Sequence, residues 1–168
     1  LKITTMKKIL LALIGAFLFL QFFGIDKTNP PVDKNSDFLT LKKTPENVAT
    51  LVKNACYDCH SNEIVYPWYA KVQPFGWFLK DHIDEGRREL NFSTFASYEP
   101  RRQAKKLDEA AEQIENGGMP LESYTLIHKE AKLTAEQKKL LTDYFNTVKN
   151  ATMTENDLSE TDLQHKKQ

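Results

Sequence analysis

The chain has 168 residues, of which 40% are hydrophobic, and its 23 basic and 23 acidic side chains give a formal net charge of zero. A chain of this length holds one globular domain of roughly 100 to 150 residues with a short appendage, so a second domain is not expected. Neither charge gathers into long runs, and the chain therefore lacks the basic surface that nucleic-acid binding requires.

An apolar segment, residues 9–25, lies near the start of the chain and contains one polar side chain, Gln21. It is longer than the roughly 7 to 15 residues of a signal-peptide core and close to the lower limit of roughly 17 for a membrane-spanning helix. No small-residue cleavage pattern follows it, so residues 1–25 are predicted to form an uncleaved membrane anchor in preference to a cleaved signal. Lys7 and Lys8 would remain in the cytoplasm and place the rest of the chain outside.

Three further regions follow the apolar segment. Residues 26–43 carry Pro30 and Pro31 among polar side chains and are predicted to form an extended linker. Residues 44–150 show helical spacing of apolar side chains and no strand-like alternation, which predicts one all-α domain. Residues 151–168 are predicted to be disordered, because Leu158 and Leu163 are isolated among charged side chains.

About four helices are expected in this domain, and each has its own start signal. A proline at the first helical position is typical of helix N-termini, as is a threonine that forms a capping box with a glutamine. Asn116-Gly117-Gly118 is predicted to end the third helix. The four start signals are Thr44 with Pro45, Pro74, Glu99 with Pro100, and Thr134 with Gln137.

The only two cysteines of the chain stand in the motif Cys56-Tyr57-Asp58-Cys59-His60, a C-x-x-C-H pattern. In a c-type haem site two such thiols bond to the haem vinyl groups, and the adjacent histidine binds the iron from one face. This attachment takes place outside the cytoplasmic membrane, where the N-terminal segment is predicted to send the domain. Two independent features therefore predict one covalently bound haem c held by Cys56, Cys59 and His60.

Three other interpretations of the motif remain. Cys56 and Cys59 could form a disulfide in an oxidising compartment, although this leaves His60 without a role. A thioredoxin-like redox pair would require a βαβ context, whereas the pattern is helical on both sides of the motif. A zinc ion could be bound by the two cysteines with two of His60, His82 and His128, but structural zinc sites usually present a second pair of ligands at close spacing.

A second axial ligand is predicted at Met119, within Gly117-Gly118-Met119-Pro120. This methionine lies in a loop between two predicted helices, and its thioether is a soft ligand that favours a raised haem potential. Met153 is expected in the polar tail, too weakly held to bind iron. His82 and His128 are the alternative iron ligands, and filling a gap in the loop is the alternative role for Met119.

Aromatic side chains are frequent after the motif, and a haem presents large apolar faces that must be covered. These side chains are expected to form the wall of the haem pocket, with ordinary core packing as the alternative. Arg87 and Arg88 are candidates for pairing with the haem propionates, although such arginines more often form a solvated helix face. The aromatic residues concerned are Tyr66, Trp68, Tyr69, Phe75, Trp77 and Phe78.

Together these residues resemble the small haem-binding-domain proteins, a branch of bacterial c-type cytochromes. The resemblance covers most of residues 37–147 and implies a periplasmic cytochrome c-like domain, with the motif as attachment site and Met119 as distal ligand. His82 and His128 also belong to the family pattern, so the distal ligand stays open. The matching strings are CYDCHSN from Cys56, YPWY from Tyr66, DHI from Asp81, EGRRELNFS from Glu85 and GMP from Gly118, with Tyr124 and His128.

The expected function is electron transfer by a membrane-anchored, periplasmic, monohaem cytochrome in which both axial positions stay filled. Its partners would be redox proteins at the membrane. No small-molecule substrate is expected, and the chain is expected to be a carrier and not an enzyme. The alternative is a peroxidase-like haem enzyme or a gas or redox sensor, which requires a displaceable distal ligand beside acid or base groups such as His82 or His128.

Overall fold

The computed structural model describes residues 2–164, and the regular structure in this range is helical, with no strand. The predicted all-α fold class is therefore confirmed. Short 3-10 helices connect several of the α-helices, at Trp68–Lys71, Phe92–Ser97 and Lys129–Ala131. The α-helices of the described part, α1 to α8, span Lys2–Leu20, Phe38–Leu41, Glu46–His60, Phe75–Glu89, Pro100–Glu115, Glu122–Thr125, Ala135–Glu155 and Glu160–Gln164.

The four long helices of the domain, α3, α4, α5 and α7, begin close to their predicted signals. Pro100 occupies the first position of α5, where its missing N–H costs nothing. Thr134 and Gln137 form the predicted capping box at the start of α7. Gly117, just after α5, has a φ of +73°, a left-handed conformation that glycine adopts without steric strain.

The main hydrophobic core brings together α2, α3, α5 and α7. Phe38 is fully buried there, with ring centroids 5.2 Å from Phe92 and 4.9 Å from Phe95. Tyr57, the residue after Cys56, stacks on Phe92 at 5.6 Å and donates a hydrogen bond of 2.8 Å to the buried carboxylate of Asp37. These contacts anchor one side of α3 in the core.

The segment predicted as a linker, residues 26–43, is bonded to the domain, and its C-terminal end enters the core. The Asn29 amide donates to the carbonyl of Ile64 at 2.8 Å, and the Asp37 carboxylate caps α2 by accepting a hydrogen bond of 3.0 Å from the backbone N–H of Leu39. Because Phe38 lies in the core, the core begins at about residue 37 and not at residue 44. The linker prediction was wrong here because one aromatic residue among polar neighbours gives no periodic signal.

Residues 151–164 are helical and partly buried, contrary to the predicted disorder. Helix α7 continues to Glu155, and α8 packs against α5. Met153 and Leu163 form a small cluster with Ala104 of α5. A leucine that is isolated in sequence thus has a partner in a distant helix, which local composition does not reveal. The rest of the predicted tail, residues 165–168, lies outside the described residues.

Helix α1 leaves its large apolar side chains mostly exposed and ends at Leu20. The next residues bond to the start of α4: the Gln21 side chain accepts from the Gln73 N–H at 2.9 Å, and the Trp77 indole donates to the Phe23 carbonyl at 2.7 Å. Within the described part of the chain, no helix combines the length and the apolarity needed to cross a membrane. The predicted membrane-spanning helix at residues 9–25 is therefore unsupported.

Candidate functional site

A cavity of about 680 Å³ lies between α3, α4, α5 and the segment that follows α5. This volume falls within the roughly 300 to 1,000 Å³ typical of cofactor and ligand sites. The cavity brings together all four residues predicted to bind haem. Those four are Cys56, Cys59 and His60 from α3, and Met119 from the loop after α5.

Cys56, Cys59 and His60 share one face of α3. The helix continues through the motif and ends at His60. Because residues three and four positions apart lie on the same side of an α-helix, both thiols and the imidazole reach one cavity. Both cysteines are free thiols, so the disulfide interpretation has no support in the structure.

The two thiols lie in apolar surroundings that keep them protonated. Burial raises the pKa of Cys56 to about 12, and the neighbouring Cys59 adds to the effect. Burial also raises the pKa of Cys59 to about 11, assisted by the charge of Asp58. A redox-active cysteine needs a lowered pKa so that its thiolate forms near neutral pH. The environment is therefore the opposite of what a thioredoxin-like pair requires.

One hydrogen bond fixes the ring of His60. Its Nδ1–H donates to the carbonyl oxygen of Leu90 at 2.9 Å. Burial lowers the pKa of His60, although hydrogen bonds to the backbone of Leu90 and Gly86 oppose the shift. The neutral ring then carries its lone pair on Nε2. A histidine that binds a metal usually has this arrangement, with one nitrogen held by the protein and the other available.

Asn62 and Asn91 fix the backbone near the Leu90 carbonyl, which accepts the hydrogen bond from His60. Asn91 follows Leu90, and its side-chain amide donates to the Asn62 side chain at 2.9 Å. The backbone N–H of Asn62 donates to the Ser93 hydroxyl at 3.0 Å. The segments after α3 and α4 are thereby joined, so the carbonyl of Leu90 has a fixed position relative to His60. Neither asparagine was predicted to have a role in the site.

Helix α4 closes against the motif at Gly86. A Cβ atom at this position would lie 2.8 Å from the carbonyl oxygen of Cys59, closer than ordinary contacts allow. The absence of a side chain therefore lets the two helices approach each other beside the cavity, which Gly86 also lines.

Met119 lines the cavity from the loop between α5 and α6. Its backbone N–H donates to the carbonyl of Gln113 at 3.1 Å, which folds the loop back onto α5. A side chain at Gly118 would collide with the side chain of Gln113. The turn at Gly117 and the close approach at Gly118 together hold Met119 half-buried at the cavity.

The two alternative histidine ligands differ in position. His82 lines the cavity, and its Nδ1–H donates to the carbonyl of Phe78 at 2.8 Å. His128 does not line it: Nε2 accepts from the Tyr69 hydroxyl at 2.9 Å, and Nδ1 bonds to Glu130 at 3.2 Å. The zinc interpretation is also unsupported, because no group of three or more His, Cys, Asp or Glu side chains within residues 2–164 is placed to hold a metal.

The apolar wall of the cavity comes from residues far apart in sequence. None of the six aromatic residues predicted for this wall lines the cavity; Trp68, Phe75 and Phe78 are 74%, 60% and 62% exposed. That prediction was wrong because the cavity meets only the C-terminal half of α4, from His82 onwards, whereas Phe75 and Phe78 lie at its start. The residues that form the apolar wall are Leu90, Phe92, Ile114, Leu133 and Phe145.

The two arginines proposed for the haem propionates do not line the cavity. Arg87 is engaged elsewhere: its Nε–H donates to the carbonyl of Ser61 at 2.8 Å, and its guanidinium donates to Asn29 at 3.0 Å. It thus helps to hold the segment before α2 against the end of α3. No interaction of Arg88 with the cavity is observed. The predicted pairing of these two arginines with the haem propionates is therefore not supported.

Lys106 of α5 is the basic side chain among the described lining residues. It is 9% exposed and donates to Glu89 at 3.0 Å and to Glu109 at 2.7 Å. The two carboxylates raise the pKa of Lys106 against the opposing effect of burial, so its ammonium group is charged. Lys106 does not stand out in the sequence, because it belongs to a strongly charged helix, where most lysines face solvent.

Asp58 and Tyr124, which both line the cavity, are joined directly. The Tyr124 hydroxyl donates to the Asp58 carboxylate at 2.6 Å. Burial and the bond to Asp58 raise the pKa of Tyr124, so the hydroxyl keeps its proton. The bond connects α6 to Asp58, one of the two residues between the cysteines. Sequence spacing gave no signal for this pairing, since the two residues are 66 positions apart.

The comparison with protein families agrees with this geometry. The family described as haem-binding domain matches residues 15–147, a range that includes the C-x-x-C-H motif and Met119. The chain belongs to the haem-binding domain family. No curated protein and no solved structure matches the chain significantly.

The residues of this haem-binding domain fit its cofactor. Two thiols that are not in a disulfide and a neutral imidazole are the groups that c-type attachment uses, and a thioether is a common second ligand. The cavity supplies this set from Cys56, Cys59, His60 and Met119 against an apolar wall. Lys106 is the lysine beside this set, and its ammonium group is already bonded to Glu89 and Glu109.

Proposed function

We propose that this protein is a monohaem c-type cytochrome that transfers electrons outside the cytoplasmic membrane. One observation carries the proposal: Cys56, Cys59 and His60 line the same cavity as Met119. The two thiols would form the thioether bonds, His60 would bind iron through Nε2, and Met119 would bind it through sulfur. Bound haem c would supply a one-electron ferric–ferrous couple.

An electron carrier needs both axial ligands held in place in both oxidation states. His60 is held by Leu90, whose neighbour Asn91 is itself fixed by Asn62. Met119 is held by its backbone bond to Gln113 and by the Asp58–Tyr124 bond further along the same segment. These restraints support a carrier, because a ligand that cannot move far keeps the rearrangement on electron transfer small.

We further propose that the domain works at the periplasmic face of the membrane, where redox proteins would be its partners. Lys7 and Lys8 before an apolar segment support export, and c-type attachment takes place outside the cytoplasm. Attachment through residues 9–25 predicts that the protein stays in the membrane fraction after salt and alkaline washing. Recovery of a soluble form that begins near residue 26 would instead indicate a cleaved signal.

Visible spectra of the matured, purified protein in both oxidation states test the proposed ligands. We expect haem that resists denaturing electrophoresis, a six-coordinate low-spin ferric form with the weak sulfur-to-iron charge-transfer band, and slow carbon monoxide binding to the ferrous form. Haem that is lost on denaturation would contradict covalent attachment. A ferric spectrum without the sulfur band would contradict the role of Met119.

A haem enzyme or gas sensor is the second candidate function, and the position of His82 is the observation in its favour. His82 lines the cavity and would place an acid or base group beside the cofactor if Met119 were displaceable. Fast, stoichiometric carbon monoxide binding to the unmodified ferrous protein would favour this function over the carrier.

A further inference from the structure

Three aromatic side chains at the start of α4 lie outside the lining of the haem cavity. Phe75 is 60% exposed, Phe78 is 62% exposed and Trp77 is 38% exposed. Phe75 and Phe78 are three positions apart and therefore lie on the same side of the helix. Contiguous exposed apolar surface is rare on soluble proteins and usually marks a site of interaction.

These side chains lie beside the point where α1 ends. The Trp77 indole donates to the Phe23 carbonyl at 2.7 Å. Gln21 and Gln73 form a reciprocal pair, in which the Gln21 amide donates to the Gln73 carbonyl at 3.1 Å and accepts from the Gln73 N–H at 2.9 Å. Ile25 then packs into a small core cluster that includes Leu79 and Ile83 of α4. The junction between α1 and α4 is therefore a bonded contact and not a loose tether.

The apolar surface continues from this junction along α1. Phe22 and Phe23 are 85% and 52% exposed, and Leu10, Leu11 and Leu13 of α1 are 58%, 68% and 62% exposed. Between Ile9 and Leu20 the helix has no polar side chain on any face. A helix that is apolar all round calls for surroundings that are apolar on every side.

We propose that Phe22, Phe23, Phe75, Trp77 and Phe78, here named the aromatic face, lie in the headgroup region of a lipid bilayer and orient the haem domain on it. The inference rests on the membrane attachment proposed above. A bilayer can surround α1 on all sides and take up the adjoining aromatic face at the same time. Tryptophan and other aromatic side chains are also the residues that favour the boundary between hydrocarbon and water.

This orientation would place the haem cavity close to the membrane surface. The ring centroid of Phe78 lies 4.2 Å from that of His82, and His82 lines the cavity. Phe78 and His82 are four positions apart and lie on the same side of α4, so the aromatic face and the cavity adjoin each other at successive turns of the helix. Electrons would then pass most directly to partners that are themselves held at the membrane.

Site-specific photo-crosslinking to lipid tests the orientation with the full, haem-loaded chain in vesicles of phosphatidylethanolamine and phosphatidylglycerol. Benzoylphenylalanine is introduced singly as Leu11→benzoylphenylalanine, Phe78→benzoylphenylalanine and Ile127→benzoylphenylalanine, and lipid adducts are quantified by mass spectrometry. Ile127 is the matched control, because it is 59% exposed, close to the 62% of Phe78, but lies beyond Met119 and away from α1 and α4 in sequence.

We expect lipid adducts at positions 11 and 78, with the yield at position 78 at least roughly tenfold above that at position 127. Adducts at position 11 with none above the control at position 78 would overturn the aromatic face and leave the membrane attachment standing. No adduct at position 11 would overturn the attachment and the aromatic face together. Protein–protein adducts at position 78 in place of lipid adducts would assign the face to a second copy of the chain and overturn the proposal.

Discussion

The hydroxyl of Tyr124 lies 2.6 Å from the carboxylate of Asp58, the residue that precedes Cys59 in the C-x-x-C-H motif. Met119 and Tyr124 belong to the same short segment after α5, so this bond ties the proposed distal ligand to the helix that carries the proposed proximal one. The segments that carry the proposed proximal and distal ligands are thus connected by a side-chain hydrogen bond as well as by the polypeptide chain between them.

Tyr124→Phe should therefore weaken the bond between Met119 and iron without removing the methionine. The substitution deletes one hydrogen bond to a charged group, worth about 1.5 to 3 kcal/mol, and keeps the ring that stacks on His128. We expect a weaker sulfur-to-iron band and carbon monoxide binding faster by roughly tenfold or more. Tyr144→Phe is the matched control, since its hydroxyl bonds to Thr44 at 2.8 Å outside the cavity. Equal spectra in both variants would show that the Asp58–Tyr124 bond is only structural.

Substitutions of Met119 itself test the distal ligand. Met119→Ala should remove the sulfur band, lower the reduction potential and open the site to carbon monoxide. Met119→His should also lower the potential while the iron stays six-coordinate, because imidazole donates more strongly to ferric iron than a thioether does. His128→Ala should leave the ferric spectrum unchanged, since His128 is outside the cavity. A spectral change in His82→Ala, with none in Met119→Ala, would assign the distal position to His82.

Removing both thiols tests covalent attachment. The double variant Cys56→Ala with Cys59→Ala, produced in a host that matures c-type cytochromes, should show no haem staining after denaturing electrophoresis, since the chain has no other cysteine. The protein should also be poorly folded, because an unfilled cavity of about 680 Å³ beside the core removes many contacts. Staining that survives in the double variant would rule out the thioether assignment.

The close approach of α3 and α4 predicts a cost for a side chain at position 86. Gly86→Ala forces a methyl group against the carbonyl of Cys59 and should destabilise the haem-loaded protein by about 1 to 3 kcal/mol in denaturant unfolding. Gly24→Ala is the control, since a Cβ atom there meets nothing within 4 Å, and its effect should stay within about 0.5 kcal/mol. Similar free energies of unfolding for the two variants would mean that α3 and α4 can move apart to accommodate the methyl group without loss of stability.

The position of Phe38 predicts that the segment before α3 is part of the folding unit. Phe38→Ala should reduce the free energy of unfolding by about 3 to 5 kcal/mol, because the ring is fully buried among other aromatic rings. Leu41→Ala, in the same short helix but 39% exposed, should cost less than about 1.5 kcal/mol. A small effect of Phe38→Ala would restore residues 37–43 to the linker.

The sequence was sufficient to predict the features that depend on residues close together in the chain. Helix starts at Pro100 and Thr134 depend on residues within one turn, and the C-x-x-C-H spacing already places three groups on one helical face. The sequence was insufficient to predict contacts between residues that are far apart in the chain. The role of Lys106 and the partner of Tyr124 depend on which helices pack together, and neither spacing nor composition carries that information.

The same limit explains the misplaced aromatic residues. Phe75 and Phe78 follow the motif closely and share the side of α4 that carries His82 and Gly86, but they lie one or more turns nearer the start of the helix. Gly86 is where α4 approaches Cys59, and the cavity lies at that end of α4. The position along α4 at which it meets α3 depends on tertiary packing and is not visible in the local sequence.

The carboxylates around Lys106 would affect the reduction potential of a haem bound in the cavity. Besides its partners Glu89 and Glu109, the described lining includes Asp58, Glu85 and Glu112, so the cavity wall carries more negative than positive charge. Negative charge near a redox centre stabilises the state with the higher positive charge, which here is the oxidised one. The carboxylates would therefore offset part of the rise in potential that a methionine ligand brings. They would make the reduced protein a more ready electron donor than its two axial ligands alone imply.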